Sequence, residues 1–188
     1  MKNQNLKRLC VSALFLALGV VLSELIPSIS LPLGGSVTLF SMVPVCLIGI
    51  AFGTKWGIFS GLVYGGLQLI FGLSNVTYAW GISAVAGIVA LLFDYIVAYG
   101  VLGFSGVFKN LIKNPVLSAV LGVILALALR FMCHFVTGVT IWREIADTLG
   151  AIWYSITYNA AYMLPEIIIT PIGVALLIKA KVLKALEK

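Results

Sequence analysis

Long apolar runs, separated by short polar or glycine- and proline-containing breaks, dominate the pattern of this chain. A membrane-spanning helix needs about 20 predominantly apolar residues, and the breaks divide the chain into six runs, of which the second is short and the last is long. The pattern therefore predicts an all-α integral membrane bundle that occupies residues 1–188 as a single domain. Its six predicted transmembrane helices are Leu6–Ile26, Thr38–Phe52, Trp56–Leu73, Trp80–Phe104, Pro115–Ile141 and Ile152–Val182.

The breaks between the runs have chemistry that is typical of helix ends. Pro27 ends the first run, and the polar stretch Ser74-Asn75-Val76-Thr77 is predicted to form a loop after the third. Pro165 and Pro171 lie inside the last run, where a proline removes a backbone hydrogen bond and favours a kink.

The amino-acid composition also indicates that the chain is embedded in the lipid bilayer. Only 10% of the residues are charged, compared with about 25% in a soluble domain. In the six-helix arrangement, one side carries nearly all the basic residues, namely Lys2, Lys7, Arg8, Lys55, Lys109, Lys113, Lys179, Lys181, Lys184 and Lys188. The other side has Arg143, balanced by Glu144 and Asp147. Because basic residues accumulate in cytoplasmic loops, both termini are predicted to be cytoplasmic.

The charge and cysteine content exclude several other classes. The net charge of +6 follows from this bias and from contact with anionic lipid, and the basic face needed for nucleic-acid binding is missing. Cys10, Cys46 and Cys133 show no paired spacing, and there is one histidine, so neither a disulfide nor a metal site is supported. No cofactor is predicted. Without a phosphate-binding loop motif, any energy from ATP must come from another subunit.

Polar side chains concentrate on the last three predicted helices. An ionisable side chain in a membrane helix costs roughly 2.5–3.5 kcal/mol on insertion scales, so it usually faces a cavity or a partner. On the fifth helix a spacing of four residues places one stripe along a face, and the same spacing recurs on the sixth. The stripes contain Arg130, His134, Gly138 and Trp142, then Tyr154, Tyr158 and Tyr162 with Asn159 beside them, while the fourth helix adds Asp94 and Tyr95.

An acid surrounded by aromatic faces suits an organic cation that carries hydrogen-bonding ring nitrogens. In this interpretation Gly138 leaves backbone accessible to the ligand, and Arg130 either serves an anionic group or holds Asp94 in place. The competing interpretation is a structural pair, in which Asp94 simply neutralises Arg130 within the bilayer. In addition, His134 alone is compatible with a buried, hydrogen-bonded histidine.

Several runs of the chain resemble the ThiT (YuaJ) family, the thiamine-specific S components of energy-coupling-factor (ECF) transporters. These runs are Gly34-Gly35-Ser36-Val37, Phe93-Asp94-Tyr95-Ile96-Val97-Ala98, the stretch from Arg130 to Gly138, and Tyr154-Ser155-Ile156-Thr157-Tyr158-Asn159. The resemblance implies a six-helix bundle that binds thiamine from outside the cell. It also implies that this bundle acts together with a transmembrane coupling subunit and two ATPase subunits.

The resemblance also implies which residues contact the substrate. The family's positions fall on Asp94, Tyr95, Arg130, His134, Gly138, Trp142, Tyr154 and Asn159. In this assignment Asp94 supplies charge and hydrogen bonds, His134 and Trp142 sandwich the rings, and Tyr154 and Asn159 bind polar edges. Some members carry Glu at the position of Asp94, and residues 33 to 37 are expected to act as a lid without the aromatic residue that some members use.

Ala13 and Ala17 lie four residues apart on the first helix, a spacing of small residues that lets another helix approach closely. Internal packing explains this spacing without a partner. The resemblance instead matches it to the Ala-x-x-x-Ala motif with which S components meet the coupling subunit. Glu166, a further acid in an apolar run, receives no role.

Two other function classes remain compatible with the residues. One is a stand-alone proton-coupled carrier of an organic cation, with Asp94, Arg130 and His134 as a proton relay, although no internal repeat is evident. The other is a membrane enzyme that uses Asp94 and His134 as acid and base, although the chain shows no nucleophile motif or metal set.

Overall fold

The computed structural model of the chain describes residues 2–31, 35–143 and 147–183. Its helices are α1 (Lys2–Val20), α2 (Val43–Phe52), α3 (Thr54–Phe71), α4 (Leu73–Ile82), α5 (Ala84–Gly106), α6 (Pro115–Trp142) and α7 (Thr148–Lys179). Between α1 and α2 lie two short antiparallel strands, β1 (Ile29–Ser30) and β2 (Ser36–Val37), with Ile29 opposite Val37. The predicted helical class is confirmed.

Within the described residues, four helical stretches are long and apolar enough to cross a membrane: Gln4–Leu25, α5, α6 and α7. The pair α3 and α4 makes a fifth if it counts as one bent span, and α2 is an apolar helix of 10 residues. The chain therefore has several membrane spans. The count of six and the cytoplasmic placement of the termini stay predictions, and Glu144, Lys184 and Lys188 lie outside the described residues.

The region between the third and fourth predicted helices differs from the expectation. The polar stretch from Ser74 to Thr77 lies inside α4, so the prediction of a loop was wrong. A helix accommodates these polar residues, since the Thr77 hydroxyl finds an acceptor within the helix itself, the carbonyl of Leu73 at 2.8 Å. The chain bends by 76° between α3 and α4, and Ser83 caps the start of α5. Trp80 consequently belongs to α4 and not to the helix that carries Asp94.

The apolar core lies where α2, α3, α5, α6 and α7 meet. Its largest fully buried apolar side chains include Ile48, Leu102, Leu127 and Met163. Glycines allow the helices to approach closely there: a Cβ atom added to Gly103 would lie 2.1 Å from the backbone nitrogen of Ile58. The last helix continues through Pro165 and Pro171 as one element from Thr148 to Lys179. This core holds α5, α6 and α7 side by side, which positions the polar stripes.

Ala13 and Ala17 of α1 do not serve internal packing. Ala13 and Ala17 are both exposed, whereas Ser12, Leu16 and Gly19 occupy the buried face of the same helix. The internal explanation of the Ala-x-x-x-Ala spacing therefore does not hold for the described part of the chain, and α1 presents this stripe to lipid or to another protein.

Candidate functional site

A cavity of about 610 Å³ lies between α5, α6 and α7. Its volume is within the range of roughly 300–1,000 Å³ that is usual for small-molecule sites. All eight residues that the sequence singles out for substrate contact line it: Asp94, Tyr95, Arg130, His134, Gly138, Trp142, Tyr154 and Asn159. Gly35 and Ser36, at the start of the second strand, also line the cavity. Positions 33 and 34 of the expected lid lie outside the described residues.

A second cavity of about 620 Å³ adjoins the first. It extends past Glu24, in the π-helical turn Val21–Leu25 that follows α1, to Glu166 on α7. The two cavities share the lining residues Ser36, Asn75, Tyr95, Tyr99, Arg130, His134 and Tyr162. They therefore form one cleft, with Arg130 and His134 where its two halves meet.

A π-helical stretch of α5, from Ala90 to Val97, carries Asp94 and Tyr95 into the cleft. Such wider turns are rare and occur frequently at functional sites. The Tyr95 hydroxyl donates to the carbonyl of Gly72 at 3.0 Å and accepts from Asn75 Nδ2 at 3.3 Å. A Cβ atom on Gly72 would overlap this hydroxyl. Tyr95 thus lines the site and also supports the bend between α3 and α4.

Asp94 pairs with His134, since Oδ1 of the acid lies 2.8 Å from Nδ1 of the ring. A carboxylate only accepts hydrogen bonds, so the Nδ1–H group donates to it and the ring orientation is fixed. The other ring nitrogen, Nε2, is buried and has no hydrogen-bond partner among the described residues. The side chain of Asp94 remains 29% exposed, which leaves carboxylate surface available to a ligand in the cavity.

Arg130 does not form the structural pair with Asp94 that one interpretation of the sequence expected. Its guanidinium carbon lies 3.9 Å from the centroid of the Tyr99 ring, a cation–π contact. The side chain is buried, and its Nε and Nη1 atoms have no hydrogen-bond partner in the structure. Tyr99 is available to Arg130, whereas Asp94 is already engaged by His134. Two nitrogen atoms of a buried cation are therefore unpaired among the residues that the structure describes.

Aromatic side chains form a continuous wall along α7. The ring centroids of Trp142 and Tyr154 lie 4.2 Å apart, and those of Tyr154 and Tyr158 lie 6.1 Å apart in a stacked arrangement. Tyr158 and Tyr162 continue the row edge-to-face at 5.9 Å, and Tyr162 also contacts the ring of His134. Such a row offers π faces to a cationic or aromatic ligand.

The side-chain amide of Asn159 forms most of its hydrogen bonds with other groups of the protein. Its Nδ2 group donates to the carbonyls of Ser155 and His134 at 2.8 and 3.2 Å, and its Oδ1 accepts from the Tyr162 hydroxyl at 2.5 Å. An oxygen can accept a second hydrogen bond, so Oδ1 is the one atom of this amide with remaining capacity. Direct ligand contact by Asn159 would therefore be made through Oδ1.

Gly138 is explained by helix packing as well as by its place in the cavity lining. A Cβ atom at this position would lie 2.3 Å from the Oγ atom of Ser155, whose hydroxyl donates to the carbonyl of Phe135. The absent side chain lets α6 and α7 approach each other here. The expectation that Gly138 exposes its backbone to a ligand stays a prediction.

Comparison with known proteins places this architecture in a family. A family model described as thiamine transporter protein (Thia_YuaJ) matches residues 9–185. The chain belongs to this thiamine transporter family. It is 32% identical over 187 residues to the thiamine transporter ThiT of Bacillus subtilis (strain 168), an alignment that covers 94% of this chain and 92% of that protein. It also resembles the solved structure of ThiT from Listeria monocytogenes, with a TM-score of 0.69, 27% identity, and coverage of 94% of this chain and 95% of that one.

Membership of the thiamine transporter family, together with the apolar spans, makes this a multi-pass protein of the cell membrane. The aromatic residues of its cleft that were not among the residues proposed for substrate contact include Tyr99, Tyr158 and Tyr162. The sequence contains a spacing that indicates these three positions. Tyr99 follows Tyr95 by four residues, and Tyr158 and Tyr162 continue the same spacing from Tyr154. The role of Glu166, by contrast, depends on contacts with a loop that no spacing indicates.

Proposed function

We propose that this member of the thiamine transporter family binds thiamine with high affinity and delivers it for uptake into the cell. Thiamine is an organic cation with a positively charged thiazolium ring and an aminopyrimidine ring that carries hydrogen-bonding nitrogens. The observation that best supports the proposal is the pairing of Asp94 with His134 in the same cavity as a row of aromatic rings. This arrangement offers negative charge, a free ring nitrogen and π faces to one ligand.

Each group has a defined part in the proposed binding. Asp94 supplies the negative charge and accepts hydrogen bonds, and it orients the ring of His134, whose Nε2 is unpaired among the described residues. Trp142 and Tyr154 contact the rings; a cation–π contact in a desolvated site contributes about 2 kcal/mol. Asn159 accepts a hydrogen bond from a polar edge through Oδ1. Binding and release require no covalent chemistry.

The energy for uptake comes, in this proposal, from other subunits of an ECF-type transporter. The chain carries no phosphate-binding loop motif, so two ATPase subunits and a transmembrane coupling subunit would supply it. The exposed stripe of Ala13 and Ala17 on α1 is the proposed docking position for the coupling subunit. No feature of the described residues favours the stand-alone proton-coupled carrier over this arrangement.

Thiamine titration of the purified chain, followed by tryptophan fluorescence, tests the proposed ligand and the site together. Trp142 lies in the cavity wall, so ligand binding is expected to quench its emission. Asp94→Asn and Asp94→Ala are each expected to weaken binding by about tenfold or more, equal to about 1.4 kcal/mol, because charge and an acceptor are lost. Thr140→Val is the control, since that hydroxyl bonds only within its own helix and lies outside both cavities. Unchanged affinity in both Asp94 variants would refute the site.

A further inference from the structure

The segment of residues 35–40 lies along α7 and contacts it at both ends. At its start, Gly35 has a φ of +74° and lies so close to Tyr162 that an added Cβ atom would be 2.9 Å from the ring. At its end, Phe40 has a φ of 60°, an uncommon conformation for a bulky residue, and its ring occupies the space beside Gly173. Residues 35–40 are therefore fitted closely to one face of this helix.

Between these two apolar contacts, Glu166 forms the polar connection. The backbone N–H of Thr38 donates to Glu166 Oε1 at 2.9 Å, and the Thr38 hydroxyl donates to the same oxygen at 3.2 Å. The other oxygen, Oε2, accepts from the Thr170 hydroxyl at 3.2 Å. The side chain of Glu166 is only 1% exposed, so these bonds replace the water that it loses on burial. One carboxylate oxygen thus accepts hydrogen bonds from Thr38, and the other accepts a hydrogen bond from within α7.

This connection fixes a wall of the cleft. Ser36 lines both cavities, and Thr38 and Glu166 line the second. β2 is only two residues long and pairs with an equally short β1, so the strands alone give the segment little support. A displacement of Thr38 would move Ser36 and change the shape of the cleft at the point where its two halves meet.

We propose that Glu166 is a positioning residue, which holds the segment Ser36–Thr38 against α7 and thereby keeps the wall of the cleft in its binding shape. The expected effect on thiamine binding rests on the proposed function above. The role of Glu166 in positioning the segment does not depend on that function. Direct ligand contact is the competing role for Glu166, and the two roles differ in what they require. Positioning requires an acceptor for the Thr38 N–H group, whereas contact with a cationic ligand requires the negative charge.

Glu166→Gln and Glu166→Leu separate these requirements. The glutamine side chain retains an oxygen that can accept from the Thr38 N–H group, and its NH₂ group can donate to the Thr170 hydroxyl. Leucine has a similar size but no acceptor. A positioning role predicts that Gln preserves the position of the segment and Leu releases it. A charge-based ligand contact predicts that both variants lose thiamine affinity while the segment stays in place.

The segment can be followed directly with a nitroxide spin label at Leu39→Cys, an exposed position next to Thr38. The full chain would carry Cys10→Ser, because Cys10 is exposed and the other two cysteines are buried. Without ligand, Glu166→Leu is expected to raise the mobile fraction of the label, and Glu166→Gln is expected to leave it unchanged. Thr170→Val is the matched control: it removes the bond to Oε2 only, so the label should stay immobile. Identical spectra for wild type and Glu166→Leu would overturn the proposal.

Thiamine dissociation, measured by stopped-flow fluorescence on the same proteins, gives the functional readout. Glu166→Leu is expected to raise the dissociation rate constant by about tenfold, with less than about twofold change for Glu166→Gln, because interface changes act mainly on dissociation. If the wild type does not bind thiamine, the proposed function fails, while the label spectra still decide the role of Glu166. If Glu166→Leu does not fold, Thr38→Val removes the hydroxyl contacts to Glu166 and Ser41 but keeps the backbone bond to Glu166. Its label must then show intermediate mobility, and more than that of Ser41→Ala, which removes the Ser41 contact only, for the proposal to stand.

Discussion

At the scale of single residues, most groups of the cleft are held by a second group that does not itself need to contact a ligand. Asp94 orients His134, Tyr162 occupies one acceptor site of Asn159, and Tyr99 holds the guanidinium of Arg130. Preorganisation of this kind lowers the entropy lost on binding. Substitutions in the supporting groups are therefore expected to weaken binding through their neighbours.

Gly138→Ala tests whether the close approach of α6 and α7 is needed. The added methyl group would overlap Ser155 Oγ, and overpacking of this kind typically costs about 1–3 kcal/mol. We expect a lower temperature of thermal unfolding and weaker thiamine binding. Gly66→Ala is the matched control, because a Cβ atom at that helical position meets no atom within 4 Å. Equal unfolding temperatures for the two variants would show that the Gly138 contact is not tightly packed.

Arg130→Met tests the two free donors of the guanidinium. A cation with unpaired donors in the cleft should favour a ligand that carries an anionic group. The variant is expected to lower the affinity for thiamine monophosphate by about tenfold and to change the affinity for unphosphorylated thiamine much less, by about threefold at most. Competition titrations with both ligands measure the ratio. An equal loss for both would assign Arg130 to structural support of the cleft alone.

At the scale of elements, the bend between α3 and α4 is coupled to the π-helical part of α5 through Tyr95. Tyr95→Phe keeps the ring and removes the bond to the Gly72 carbonyl, a change expected to cost about 0.5–1.5 kcal/mol. Hydrogen exchange of the backbone amides in Leu73–Ile82 should become faster, while exchange in Thr148–Lys179 should stay as in the wild type. Unchanged exchange in Leu73–Ile82 would show that Tyr95 does not stabilise the bend.

The elements also show what the sequence can and cannot predict. The four-residue spacing placed Arg130 and His134 on one face of a helix, and the structure brings that face to the cleft. The polar stretch before Trp80 was predicted to be a loop because hydropathy does not register a bond such as that from Thr77 to Leu73. The partner of Arg130 was also not predictable, because the choice between Tyr99 and Asp94 depends on tertiary geometry.

At the scale of the whole molecule, α1 is the membrane span that the rest of the chain covers least. In its apolar window 17% of the residues are buried, compared with 44% for α6. Ala13 and Ala17 lie on the exposed side, beside the large exposed side chains of Leu14 and Leu18. A groove of small residues between leucines suits close packing of another membrane helix better than contact with lipid alone. The proposed docking surface on α1 and the ligand cleft therefore lie in separate parts of the molecule.

This separation makes the last prediction specific. Ala13→Trp combined with Ala17→Trp should block the approach of a partner helix and reduce thiamine uptake by cells by about tenfold or more, if close contact through small residues drives the association. Thiamine binding by the purified variant should stay within about twofold of the wild type, because neither residue lines the cleft. Leu121→Trp, at an exposed position on α6, is the control for a bulky side chain in lipid. Full uptake by the double variant would contradict docking at α1, and uptake by the purified chain alone in liposomes with a pH gradient would support a stand-alone carrier.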